Sequence, residues 1–159
     1  MVSCFKAALK PLQNLIGLDH ASRPTSLSVN SMPTLEVYLP AGHTESRKAA
    51  LIGELTQATV SAIGAPADAV RILLSELAAS DYGIGGRAAS EGTPPALPVI
   101  IAILIAGRTD EQKRALIHAL CETGAAVLDT PIDATRVMIK DIPNTDFGLG
   151  GKTAKSLGR

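Results

Sequence analysis

Residues 30–45 read NSMPTLEVYLPAGHTE, and residues 95–110 read PALPVIIAILIAGRTD. Laid over each other, the two stretches bring Pro33 onto Pro98, Gly42 onto Gly107 and Thr44 onto Thr109, and 98 − 33 gives a constant offset of 65. The offset holds without a gap from Pro33 to Ser90 and from Pro98 to Lys155, with identity at 19 of 58 positions. That is too many for a chance register, so the chain is a tandem repeat and each copy is a structural unit. Residues 33–90 form the first unit, 98–155 the second, and 91–97 link them.

Each copy opens with an apolar or alternating segment that reads as a strand, TLEVYLP or VIIAILI, closed by Ala-Gly. A helix is expected next. In the second copy Thr109 and Gln112 make a capping-box pair, and Leu116, Ile117, Leu120, Val127 and Leu128 recur at helical spacing. Leu51, Ile52, Leu55, Ala62 and Ile63 do so in the first. Both helices should stop near Gly64 and Asp129, ahead of Pro66 and Pro131. A second strand, AVRILLSEL or ATRVMIKDI, completes a β-α-β unit with parallel strands. Two tandem units give an α+β fold, a four-stranded sheet with both helices on one face. The strands, above all Val99 to Ile105, read as apolar on both faces, as in a sheet covered on both sides. No further helix is left to cover the second face, which implies a homo-oligomer.

Composition excludes several classes of function. A chain of 159 residues that is 46% hydrophobic can bury a core, and 15 basic against 15 acidic residues leave no electrostatic footprint for nucleic acid or an anionic membrane. The longest apolar run, Ala96 to Ala106, has 11 residues, against the roughly 20 that a helix needs to span a bilayer. Cys4 and Cys121 are too few and too far apart for a disulfide framework, which points to a reducing, cytoplasmic setting. Residues 1–31 carry Lys6, Lys10 and Arg23 against a single acid, Asp19, a composition compatible with a transit peptide. They match neither repeat and are read here as an upstream extension before a start at Met32.

The segment GGKT, at 150–153, is not a phosphate-binding loop: Asp146 stands where that motif needs its first glycine, and too little chain follows Thr153 for the required helix. The glycines at 83, 85 and 86 and at 148, 150 and 151 instead predict tight hairpin turns. His20, His43 and His118 are isolated and form neither a metal-ligand spacing nor a triad.

Met32-Pro33 opening a strand, AGRTDEQKRALI at 106–117, PADAVRILLSEL, PIDATRVMIKDI and the endings YGIGG and FGLGG resemble the 4-oxalocrotonate tautomerase family over the whole of both repeats. The chain is similar to two family subunits fused in one polypeptide. The resemblance implies a cofactor-independent tautomerase whose N-terminal proline, freed by loss of the initiator methionine, is the general base for enol–ketone interconversion. Only an N-terminal proline is an amine, because a proline inside a chain is an amide, so Pro33 qualifies after removal of Met32 and Pro98 does not.

The same resemblance puts the substrate-carboxylate arginines at His43/Arg108 and Arg71/Arg136 and the active-site aromatic at Tyr82/Phe147. His43 departs from the pattern. The family's loop arginine and aromatic come from the partner of the subunit that supplies the proline, so Arg108 and Phe147 are expected to serve Pro33. Which strand arginine, Arg71 or Arg136, completes that site is left open by the sequence. The implied substrate is a small unsaturated 2-oxo or 2-hydroxy acid of the hydroxymuconate type. Dehalogenases of the superfamily place a glutamate where Ile84 and Leu149 stand and a further arginine where Pro40 and Ile105 stand, so hydration and dehalogenation are disfavoured, while decarboxylation stays open. Six repeats make the family's hexamer, hence three fused chains, a homotrimer. The opposing reading is a non-catalytic oligomeric binding protein in which the leader stays attached and Pro33 is never exposed.

Overall fold

The computed structural model describes residues 32–92 and 97–158. The leader expected at 1–31 lies outside the described residues. Strand β1 (Thr34–Pro40) is followed by helix α1 (Glu45–Ile63), strand β2 (Arg71–Leu77) and a tight hairpin of β3 (Gly83–Ile84) and β4 (Arg87–Ala88). The second repeat gives β5 (Val99–Ile105), α2 (Asp110–Leu128), β6 (Arg136–Ile142) and the hairpin of β7 (Gly148–Leu149) and β8 (Lys152–Thr153).

Local chemistry sets these boundaries. Thr44 caps α1 by accepting the Arg47 N–H. Thr109 accepts the Gln112 N–H while the Gln112 side chain takes the Thr109 N–H, the reciprocal pair expected from sequence. Both helices end on a left-handed residue, Gly64 at φ 65° and Asp129 at φ 54°. The chain then passes through a single 3-10 turn into β2 or β6, which therefore begin at the arginines rather than two residues earlier.

The four long strands form one sheet in the order β2-β1-β5-β6. Pairing is parallel within each repeat, Thr34 with Arg71 and Val99 with Arg136, and antiparallel between repeats, Thr34 with Ile103 and Tyr38 with Val99. The two units are thus related by an approximate two-fold axis between β1 and β5. One face of the sheet carries α1 and α2, which pack on each other and on the strands. Leu35, Val37 and Leu39 of β1, Ile100, Ala102 and Leu104 of β5, Leu51 and Leu55 of α1, and Leu116 and Leu120 of α2 are buried there. Burying each such leucine or isoleucine contributes about 1.5–3 kcal/mol.

Two details differ from the sequence reading. Ile52 and Ile117, assigned to the apolar helix stripes, are 41% and 37% exposed. Each follows a buried leucine by one residue, a rotation of about 100° that carries it off the stripe. The second face of the sheet is also less uniformly apolar than expected: β1 presents Thr34, Glu36 and Tyr38 there, and only β5, with Val99, Ile101 and Ile103, is apolar on both faces. Met138, 50% exposed, extends the apolar strip on the β6 side, while Leu73, 49% exposed, is separated from it by Glu36 of β1. Among the described residues no helix is long and apolar enough to cross a membrane.

Candidate active site

The site follows from the antiparallel contact between β1 and β5. Pro33 precedes β1, and its carbonyl accepts the Arg71 N–H at 2.9 Å, which fixes the entry of β1 beside the entry of β2. Because β5 runs the other way, the entry of β1 lies beside the exit of β5, from which Ala106, Gly107 and Arg108 continue. Ala106 donates to the Ile142 carbonyl at 2.9 Å, so β6 leaves the sheet at this end too and leads to Phe147 ahead of the second hairpin. Pro33, Arg71, Arg108 and Phe147 therefore share one end of the sheet. By the same symmetry Pro98, Arg136, His43 and Tyr82 share the other: Pro98 accepts the Arg136 N–H at 3.0 Å, and Ala41 donates to Leu77 at 2.9 Å where β1 and β2 leave together.

The side chains at the two ends are not equivalent. Pro33 is fully buried and Met32 half-buried. Arg71 is exposed, whereas Arg136 turns back on its own loop and donates through Nη1 to the carbonyls of Asp133 and Thr135. Arg108 is half-buried; burial pushes its guanidinium below the usual arginine pKa, and the negative charge of Asp141 works against that shift. Its counterpart His43 donates its backbone N–H to Glu76 at 3.2 Å. Gly42 and Gly107, at φ 109° and 121°, allow the turn into each loop, a conformation that L side chains rarely adopt. His118 lies on the surface of α2 beside Glu122, at 3.5 Å, and Cys121 is a free thiol pushed up in pKa by burial, with nearby Arg136 opposing.

One pair of contacts escaped the sequence reading. Lys48 meets Glu76 at 2.9 Å, and Lys113 meets Asp141, each joining a helix to the second strand of its own repeat. The signal was present: both lysines are identical at the 65-residue offset, and both strand positions are acidic.

Two fused β-α-β units, each opening on a proline and ending in a glycine hairpin, define a class of paired-subunit chain in which each candidate site draws on both repeats. The family model described as "Tautomerase enzyme" matches twice, over residues 33–91 and 98–156. The chain belongs to this Tautomerase family and is an isomerase of the keto–enol tautomerase type. It is 40% identical over 63 residues to a 2-hydroxymuconate tautomerase of Stutzerimonas stutzeri, an alignment covering 40% of this chain and 100% of that protein, the size of one repeat. Among solved structures, "F6 fused 4-OT wild type asymmetric trimer" is 71% identical with a TM-score of 0.75, covering 79% of this chain and 99% of that one. "Q0 fused 4-OT wild type symmetric trimer" is 40% identical with a TM-score of 0.73 over the same shares.

Proposed function

We propose that the protein is a tautomerase of unsaturated 2-oxo and 2-hydroxy acids, with Pro33 as its general base. The single observation that carries this reading is the antiparallel pairing of β1 with β5, which gives the Pro33 end of the sheet an arginine loop and the Pro98 end a histidine loop. Removal of Met32 makes the Pro33 nitrogen a secondary amine. Its buried surroundings and the arginines nearby disfavour the ammonium form by desolvation and like charge, which brings its pKa down to where a base works near neutral pH. The amine takes a proton α to the carbonyl and returns it further along the conjugated system. Arg108 binds a substrate carboxylate, and an exposed strand arginine, Arg71 or Arg136, supplies the second cation. Both stabilise the enolate as charge develops on oxygen. Phe147 closes the apolar side of the site.

The assembly is a homotrimer of fused chains. The apolar strip of β5 and Met138, together with exposed Leu73 at the far side of β1, supports burial of the second sheet face between copies, and fused relatives are named as trimers. The relative named 2-hydroxymuconate tautomerase supports a hydroxymuconate-like substrate. Steady-state kinetics of Pro33→Ala and Pro98→Ala on 2-hydroxymuconate, with the intact mass of the natively expressed protein, test the reading. Loss of most activity in the first variant alone, in a protein that begins at Pro33, is the expected result. Equal losses in both folded variants, or an active chain that retains Met32, would overturn it.

A further inference from the structure

Each repeat places a lysine-paired carboxylate on the second strand, below the loop that leaves the first. In the first repeat Glu76 accepts the backbone N–H groups of Gly42 and His43 at 3.2 Å each while Lys48 of α1 donates to it at 2.9 Å. In the second, 76 + 65 leads to Asp141 and 48 + 65 to Lys113, which form the corresponding ion pair. Asp141 pairs with Leu104 at the exit of β5, and its neighbour Ile142 accepts the Ala106 N–H. The carboxylate therefore stands under the loop that carries Arg108, and its charge acts on that guanidinium.

We propose that Asp141, anchored by Lys113, is a positioning residue that orients Arg108 toward the substrate carboxylate, an inference that rests on the reading of Arg108 given above. An arginine side chain has many rotamers, and ordering it only when substrate arrives costs conformational entropy. A fixed counter-ion on the neighbouring strand orders it beforehand and offsets the cost of its partial burial. Glu76 makes the same tie at the end that has no amine, so it holds the fold without serving turnover. A competing effect has the opposite sign: Asp141 also repels an incoming carboxylate, and if that dominated, its removal would tighten binding.

The experiment is steady-state kinetics on 2-hydroxymuconate for Asp141→Asn, Asp141→Glu, Lys113→Gln, Glu76→Gln, Arg108→Ala and the double variant Asp141→Asn/Arg108→Ala, with thermal unfolding as the folding control. Asp141→Asn is expected to raise KM roughly two- to fivefold, the range of an exposed ion pair, with less change in kcat. Asp141→Glu should restore KM to within about a factor of two, because Glu76 makes the equivalent tie with the longer side chain. Lys113→Gln should raise KM in the same direction, and this variant carries the test if Asp141→Asn does not fold. Glu76→Gln should leave KM unchanged. In the Arg108→Ala background Asp141→Asn should have no further effect. A fall in KM for Asp141→Asn, unchanged KM in both Asp141→Asn and Lys113→Gln, or an undiminished effect without Arg108 would overturn the positioning role while leaving Arg108 as the substrate ligand. A silent Arg108→Ala would instead overturn the assignment of Arg108, and the role of Asp141 with it.

Discussion

The two loop positions, His43 and Arg108, separate the cross-repeat site from a site built within one repeat. On the proposed reading, replacing Arg108 by alanine removes a charge-assisted hydrogen bond to a substrate carboxylate. Such bonds contribute about 1.5–3 kcal/mol, and with 1.4 kcal/mol for each factor of ten kcat/KM should fall by about one to two orders of magnitude. The half-buried setting of Arg108 favours the upper part of this range, because water does not fully replace the lost partner. His43→Ala should leave kcat/KM within about a factor of two, since its loop stands at the Pro98 end, where the nitrogen is an amide. His43→Arg should not create a second site for the same reason, and an amine-directed covalent inhibitor should label one position per chain in every variant. The assay is initial-rate kinetics on 2-hydroxymuconate with thermal unfolding alongside. If His43→Ala were damaging and Arg108→Ala silent, Pro33 would be served by its own repeat, and the pairing of β1 with β5 would not determine the composition of the site.

Three further outcomes follow from packing and charge. A Cβ on Gly83 would stand 2.2 Å from the Arg87 carbonyl oxygen, whereas one on Gly148 would meet nothing closer than 4.0 Å; Gly83→Ala should therefore lower Tm and expose the first hairpin to hydrogen exchange, with Gly148→Ala near wild type, and the reverse order would contradict the hairpin geometry. Leu120, fully buried between the helices and the sheet, should cost about 2–5 kcal/mol on replacement by alanine, and 37%-exposed Ile117 clearly less, as read from chemical denaturation. Hydrogen bonding from Lys48 above all holds the Glu76 carboxyl below its usual value; burial opposes it as the next effect in size, and the His43 and Gly42 N–H groups and the Lys48 charge add smaller lowering contributions. The resulting stability is present above the ordinary carboxylate pKa and lost as pH falls through the lowered one, so the Tm gap between wild type and Glu76→Gln should close on acidification; a gap that widened toward low pH would contradict the assignment.

Much of the fold was legible because the repeat doubles every signal. The constant offset marks the same strand, capping threonine and stop residue twice, and the structure has all of them in both copies. What a single segment cannot carry was harder to read. Ile52 and Ile117 are apolar and adjacent to core leucines, and only the orientation of the helix on the sheet separates stripe from flank. The repeat marks Lys48 and Lys113 and the acidic Glu76 and Asp141 in both copies, but only the packing of helix on strand shows that residues 28 apart meet. The relative direction of β1 and β5 has no local sequence signature at all. It is a tertiary choice, yet it decides which loop stands beside which proline.

That choice also bears on why a fused chain can tolerate a histidine where its second repeat keeps an arginine. Each end of the sheet is assembled from the entry of one repeat and the exit of the other. In an assembly of identical unfused subunits, losing the loop arginine would alter every site at once. In the fused chain the residue after Gly42 belongs to the Pro98 end and the residue after Gly107 to the Pro33 end, so the two can diverge independently. Pro98 can never present a basic nitrogen, being joined to Leu97, and an arginine opposite it would have no reacting substrate to hold. On the proposed reading, the histidine therefore stands where an arginine would be idle, and the arginine that remains stands beside the proline that loss of Met32 would turn into an amine.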